Sequence, residues 1–277
     1  MLLSFNTNTM AMRARQDARA NQASMDDIQT RLNTGKKIAS AKDNGALYSM
    51  AKNQSGDIAV TNRVIQALDK GISTVDVALA ASETISDLLV QMKEKALAAS
   101  DGSLDSSSRT SLNEDFKALR DQISSVISNA SFNGTNLLNG SLSGGLVVLA
   151  NENAGTITIA AENLTLGGSI LTFASTATLG TSNLASTVAT QLDTSINNLA
   201  QSFARLGTGE KGLERHKTLL STIVNALEGG VSALVDADMG KESARLQAEQ
   251  VRVQLSTQNL SFANRQPQNI LTLFGKG

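Results

Sequence analysis

Residues 192–234 read LDTSINNLAQSFARLGTGEKGLERHKTLLSTIVNALEGGVSAL, with a leucine at every seventh place: Leu192, Leu199, Leu206, Leu213, Leu220, Leu227 and Leu234. A seven-residue repeat lays one residue type along one stripe of an α-helix, because two turns take close to seven residues. Ile196, Phe203, Val224 and Val231 stand three or four places from the comb and widen the stripe. At 1.5 Å per residue such a helix spans about 60 Å, beyond an ordinary globular helix. It needs partners of similar length. The stretch therefore predicts a mainly α protein, elongated, built as a long antiparallel coiled-coil-like helical bundle.

Upstream, Ile58, Ile65, Leu68, Ile72, Val75 and Leu79, continuing through Leu89, Met92 and Ala96, predict a helix from about 58 to 99. Leu112, Phe116, Leu119, Ile123, Val126 and Ala130 predict another over about 106–130, with Asp105 or Ser106 as its N-cap. A first helix over about 3–33 has only Ala14, Ala18, Met25, Ile28 and Leu32 as its apolar face. The stretch NTGKKIASAKDNGALY after it reads as loop. Between 131 and 187 Gly, Ser, Thr and Asn dominate, and LVVLA (146–150) and TITIA (156–160) read as short strands of a small β-rich insert at the tip.

Beyond Leu234 the register slips. Leu246, Val253 and Leu260 make a second seven-step row, but 12 residues separate Leu234 from Leu246. The slip falls at VDADMGK, where Gly240 also weakens a helix. A junction there predicts two domains: 1–40 with 236–277, and 41–235 with the β-rich segment 131–187 inside it. The central helices bury Leu, Ile and Val, each worth roughly 1.5–3 kcal/mol. The end helices offer Ala, Gln, Asn and Ser and are marginal alone. They are expected to be loosely ordered in a free monomer and to fold when other copies cover them.

Lys plus Arg number 24 and Asp plus Glu 25, so no electrostatic footprint for nucleic acid or an anionic membrane is expected. Cysteine is absent, which excludes disulfides and thiolate metal sites. No run of ~18–20 apolar residues is seen, so no membrane insertion is expected. The opening residues, MLLSFNTNTMAMRARQDARA, lack the apolar core of a signal peptide.

Chemical motifs are few. GTGEKG (207–212) fits G-x-G-x-x-G, but it lies between Leu206 and Leu213 of the comb rather than between a strand and a helix, so continuous helix is the expected reading. His216 is the lone histidine, in a charged stretch Glu214-Arg215-His216-Lys217. Asp236 and Asp238 are two apart, so on a helix they face different sides. They read as a polar junction. Pro267 should kink or end the last helix, before an apolar tail of Ile270, Leu271, Leu273 and Phe274. No catalytic, cofactor-binding or metal-binding set is expected, and no cofactor.

The ends carry a resemblance. FNTNTMAM (5–12), DIQTRLNTGKKIASAKDNGA (27–46), DQISSVISNASFNGTNLLNG (121–140), DADMGKES (236–243) and QNLSFANRQPQNILTLF (258–274) resemble the bacterial flagellins. KIASAKDNGA and LLVQMKEKALAAS look most like flagellins of α-proteobacteria. The resemblance implies a non-enzymatic, extracellular homo-polymer: the filament subunit used for swimming, exported by the flagellar type III apparatus. Implied partners are an export chaperone, the export apparatus, hook-associated proteins and the filament cap. The paired ends would form an inner tube and the middle helices an outer one. Leu32, Ile38, Leu260, Asn264, Pro267 and Leu271 are the expected subunit contacts. The segment containing Leu89, Gln91 and Glu94 resembles the place where a vertebrate innate receptor reads many enterobacterial flagellins, which carry Arg where Gln91 stands. Gln cannot reproduce the planar, multi-donor contact of Arg. Two other readings stand beside this one: a hook–filament junction protein with similar ends, and a chemoreceptor-like helical signalling module, which would lack the FNGTNLL and PQNIL signatures.

Overall fold

A computed structural model describes the backbone of residues 7–274 and the side chains of residues 7–265. Among the described residues five helices and four short strands follow in order: α1 Thr9–Thr34, α2 Gly45–Ala99, α3 Ser106–Asn129, β1 Ser131–Phe132, β2 Thr135–Asn136, β3 Leu146–Leu149, β4 Thr156–Ile159, α4 Ser182–Val235 and α5 Met239–Phe274. The chain divides into two compact units, one of residues 1–56 with 226–277 and one of residues 57–225.

In the unit of residues 57–225, one buried core joins α2, α3 and α4. It contains Leu68, Val75, Ile85, Leu89, Met92, Phe116, Ile123 and comb members Leu192, Leu199, Leu206, Leu213 and Leu220. Two ion pairs set the direction: Asp69 meets Lys217 and Lys93 meets Asp193. Twenty-four residues separate the pairs on each helix, running oppositely, so α2 and α4 are antiparallel in a common register. Asp105 caps α3 by accepting from Ser108 N at 2.8 Å. Arg109 turns back to donate to the Ala99 and Asp101 carbonyls at the end of α2.

The β-rich segment sits on this core. Strands β1 and β2 form a two-residue hairpin in which Asn133 (φ 49°) and Gly134 (φ 78°) take the left-handed conformations of a primed turn. Asn136 is buried; its Nδ2 donates to Ile127 O at 2.7 Å, and its Oδ1 accepts from Leu138 N and Asn139 N. Strands β3 and β4 pair antiparallel, Val148 opposite Ile157 and Leu146 opposite Ile159. Val148 and Ile159 point at glycines. A Cβ on Gly71 of α2 would lie 2.7 Å from Val148 Cγ2, and one on Gly209 of α4 would lie 3.1 Å from Ile159 Cγ2. The two helices are notched where the hairpin presses on them.

In the unit of residues 1–56 with 226–277, α1 and α5 pack on each other. On α1 the covered residues are Ala11, Ala14, Ala18, Asn21, Met25, Ile28 and Leu32; on α5 they are Glu242, Leu246, Glu249, Val253, Ser256, Leu260 and Ala263. Both rows alternate steps of three and four, the pattern of a coiled-coil seam. A clip closes the unit: Lys37 N donates to Val235 O at 2.8 Å and Ala237 N to Gly35 O at 2.9 Å, with Gly35 left-handed at φ 68°. Ile38, Ala51 and Val235 form a small core beside it, with Leu47, Tyr48, Val231 and Leu234 packed around.

Several sequence expectations need correction. Helix α2 begins at Gly45, not near 58: Asn44 caps it, accepting from Leu47 N at 3.1 Å, and Leu47, Tyr48 and Ala51 find the small core that their spacing alone does not announce. The final helix does not stop at Pro267; its backbone continues to Phe274. Leu271 is in this helix, but its side chain and that of Pro267 lie outside the described residues. The register slip at 235–241 is a true break, with α4 ending at Val235 and α5 starting at Met239.

Candidate assembly surfaces

The α1–α5 seam is poor in hydrocarbon. Glu242 and Glu249 occupy core positions at 5% and 4% exposure, each held only by an arginine three residues on, Arg245 or Arg252. Among the described residues Glu242 Oε2 has no hydrogen-bond partner. Asn21 donates to Ser256 Oγ across the seam. A buried carboxylate needs full pairing to offset its desolvation, so this seam holds weakly. The periodicity of leucines and valines shows Leu246, Val253 and Leu260 but not the glutamates between them. Buried charge leaves no signature in an apolar count.

The expected contact residues are scattered in burial. Leu32 and Leu260 are half-buried in the seam, Asn264 is exposed, and Ile38 is 7% exposed within the chain's own small core. Comb members Leu192 to Leu220 are buried, whereas Leu227 and Leu234 are half-buried. Leu89 is wholly buried, while Val90, Gln91 and Glu94 of the same segment are exposed and Lys93 is partly so.

Exposed apolar residues recur along the helices. On α4 they include Leu219 and Ile223, and on α5 Val251, Leu255 and Phe262. One 18-residue window of α4 has a mean hydropathy of 1.4 and at most two charges, although only 17% of it is buried. By length and composition this meets the test for a membrane span, contrary to the count of unbroken apolar runs, because Ser, Thr and Gly interrupt it at little cost in hydropathy. A helix that packs on other helices meets the same test.

The titratable groups do not converge. Among the described residues no three of His, Cys, Asp and Glu could share a metal ion. The GTGEKG stretch is continuous helix within α4, and Gly209 serves the notch for Ile159. His216 is a strap that sequence did not reveal: its Nε2 lies 2.6 Å from Ala150 O, tying α4 to the end of β3. Asp238 caps α5 through Lys241 N at 3.0 Å, and the main chain at Asp236 pairs antiparallel with that at Lys36 in an isolated bridge. Glu162, at 4% exposure, takes both nitrogens of a bidentate Arg205, at 2.7 and 2.6 Å. That carboxylate raises the pKa of the guanidinium. Asp43 accepts the backbone N–H groups of Ser40 and Ala39, which hold its carboxyl below the ordinary 3.8. Burial and the neighbouring Asp76 push Glu210 above the ordinary 4.5.

Long helices zipped by heptad seams, with exposed apolar residues along them, define a protein of the helical-bundle class. Residues 5–143 match the bacterial flagellin N-terminal helical region and residues 189–274 the bacterial flagellin C-terminal helical region. The chain is 47% identical to flagellin FljM of Caulobacter vibrioides over 273 residues, covering 99% of each. It is 32% identical to a flagellin of Brucella melitensis over 283 residues, again covering 99% of each. A structure described as a flagellar hook-associated protein of Vibrio parahaemolyticus shares the fold, with a TM-score of 0.58 at 15% identity, covering 70% of this chain and all of that one.

The chain belongs to the bacterial flagellin family. It is a structural subunit of the flagellar filament and stands outside the cell, in a polymer of its own kind. Neither the hook–filament junction reading nor the signalling-module reading gains support from these likenesses.

Proposed function

We propose that this subunit assembles by coupled folding. The α1–α5 seam, with Glu242 and Glu249 buried among Ala, Asn and Ser, supports the reading. Such a pair is too weak to stand alone and orders fully between identical neighbours at the growing end. The residues of 1–40 and 236–277 then form the inner wall of the filament and those of 41–235 the outer one, with 131–187 outermost. Leu32, Leu260, Asn264, Pro267 and Leu271 belong to the surfaces that order on assembly, while Ile38 serves the chain's own core. The subunit performs no catalysis. It reaches the growing end unfolded through the type III export apparatus, escorted by an export chaperone, and meets hook-associated and cap proteins there. Gln91, exposed where related enterobacterial chains carry arginine, makes this protein a weak stimulus for the innate receptor.

Seeded growth watched by electron microscopy, with limited proteolysis of the monomer beside it, tests the proposal. Protease is expected to trim both ends of the monomer and spare the middle. Equal resistance of ends and middle before assembly refutes coupled folding. A reporter-cell response equal to that of an enterobacterial flagellin refutes the role given to Gln91.

A further inference from the structure

Three asparagines stand directly before a glycine: Asn44, Asn133 and Asn139. Such a pair can close on itself. The glycine main-chain nitrogen gives up its proton and attacks Cγ of the asparagine side chain. A C–N bond forms, the bond to the side-chain nitrogen breaks, and ammonia leaves. Glycine has no Cβ to obstruct the approach, so it is the most permissive residue to follow. Water then opens the cyclic imide at either carbonyl. The products are aspartate and isoaspartate, in which the main chain runs through the former side chain.

The fold holds two of these asparagines away from the reaction. Asn44 caps α2, its Oδ1 accepting from Leu47 N at 3.1 Å, and freeing it would unravel the first turn of that helix. Asn139 Oδ1 accepts from Ser141 N at 2.9 Å. The side chain of Asn163 closes over the next residue, lying 2.9 Å from where a Cβ of Gly140 would stand. Asn133 differs. It and Gly134 are exposed at the tip of the β1–β2 hairpin, and no hydrogen bond among the described residues holds its side chain. A left-handed residue (φ 49°) turns the following nitrogen away from its own side chain, so the reaction waits for the turn to open. The ladder behind the turn is two pairs long, Ser131 with Asn136 and Phe132 with Thr135, and only the outer pair has to part. So short a ladder opens at small cost.

We propose that Asn133 is the deamidation site of the folded chain, with hydroxide and water as reagents and opening of the β1–β2 turn as the gate. The aspartate product leaves the hairpin intact, because Asp-Gly suits a primed turn as Asn-Gly does. The isoaspartate product does not. It adds a carbon to the main chain of a two-residue loop whose length sets the register of the strands. The ladder then cannot close on both pairs. Asn136, the last residue of that ladder, loses the geometry that holds Ile127 O, Leu138 N and Asn139 N. Age thereby loosens the segment that leaves the end of α3.

Full-length monomer is aged at pH 8, once folded and once in urea. Peptide mapping, with fragmentation that separates isoaspartate from aspartate, reads each site. In urea the three asparagines are expected to react at similar rates. In the folded chain Asn133 is expected to react at least about threefold faster than Asn44 or Asn139, the slowing that one net hydrogen bond imposes on each of those. Asn133→Gly keeps residues that suit a primed turn and removes the reacting group. Ageing should therefore lower the thermal midpoint of the wild-type chain and leave that of Asn133→Gly unchanged. Folded-state reaction at Asn44 or Asn139 as fast as at Asn133 overturns the proposal. So does a folded Asn133 that stays intact while all three react in urea, and so does an equal loss of midpoint in aged Asn133→Gly.

Discussion

The side-chain amide of Asn8 donates to the main-chain oxygen of Ala263 at 2.8 Å. In an uninterrupted helix that oxygen would accept from the N–H of residue 267, four places on. Residue 267 is proline and has no N–H. Asn8 thus supplies from one end of the chain the donor that Pro267 withholds at the other. Its Oδ1 meanwhile caps α1, accepting from Ala11 N at 2.9 Å. This pairing gives a physical reason for the helix to run on past its proline.

The two roles of Asn8 separate by substitution. Asn8→Asp keeps a good cap and removes the donor. It should lower the dissociation temperature of filaments, by the equivalent of about 1–2 kcal/mol for an orphaned carbonyl. In a Pro267→Ala background, where the helix regains its own N–H, the same change should cost almost nothing. Equal losses in both backgrounds would disprove the substitution of one donor for the other.

Arg205→Ala should destabilise the unit of residues 57–225. Glu162 would remain buried with no partner for its charge. Breaking a fully buried pair costs about 3–5 kcal/mol. Arg205 is half-exposed, and solvent screens its share, so about 2–4 kcal/mol is expected. Denaturant unfolding followed by circular dichroism measures it, and a loss below about 1 kcal/mol would deny Glu162 its dependence on Arg205.

The glycines of the long helices divide by what surrounds them. Gly212 meets nothing within 4 Å, so Gly212→Ala should stabilise by about 1 kcal/mol through helix propensity. Gly71→Leu drives a side chain into Val148 and should destabilise by about 1–3 kcal/mol or more. Opposite shifts of the thermal midpoint are the expected result. Shifts of the same sign would remove the notch.

Glu210 makes the unit of residues 57–225 lose stability as pH rises through its raised pKa. Its pKa is raised by burial first, then by Asp76 and Glu214, against a smaller opposing effect of Lys211. An acid whose folded-state pKa exceeds its unfolded value binds its proton more tightly when folded. Stability from this group therefore rises as pH falls through the raised value and levels off below the ordinary 4.5. Glu210→Gln should stabilise the protein more at pH 8 than at pH 5. Thermal melts at both values test it; an equal or reversed gap would contradict the assignment.

How much of this was legible in sequence follows from what each element depends on. The leucine comb, the α3 cap at Asp105 and the β3–β4 pair rest on local periodicity and short-range chemistry, and the sequence displays them. The start of α2 depends on Leu47 and Tyr48 packing against the small core of Ile38, Ala51 and Val235, the last nearly two hundred residues away. The Asn8–Ala263 bond and the His216–Ala150 strap are likewise long-range and polar. The exposed Val251, Leu255 and Phe262 of α5 were hidden for another reason. Apolar residues on both sides of one helix cancel each other in any reading that looks for a single greasy face.

The hairpin seated on Gly71 and Gly209 has a mechanical consequence. Val148 and Ile159 act as the two teeth of a detent, each resting in a groove on a different rod. Neither α2 nor α4 can creep lengthwise under the hairpin by a fraction of a turn without first lifting a tooth. Lengthwise slip between the two rods therefore has to open this catch first.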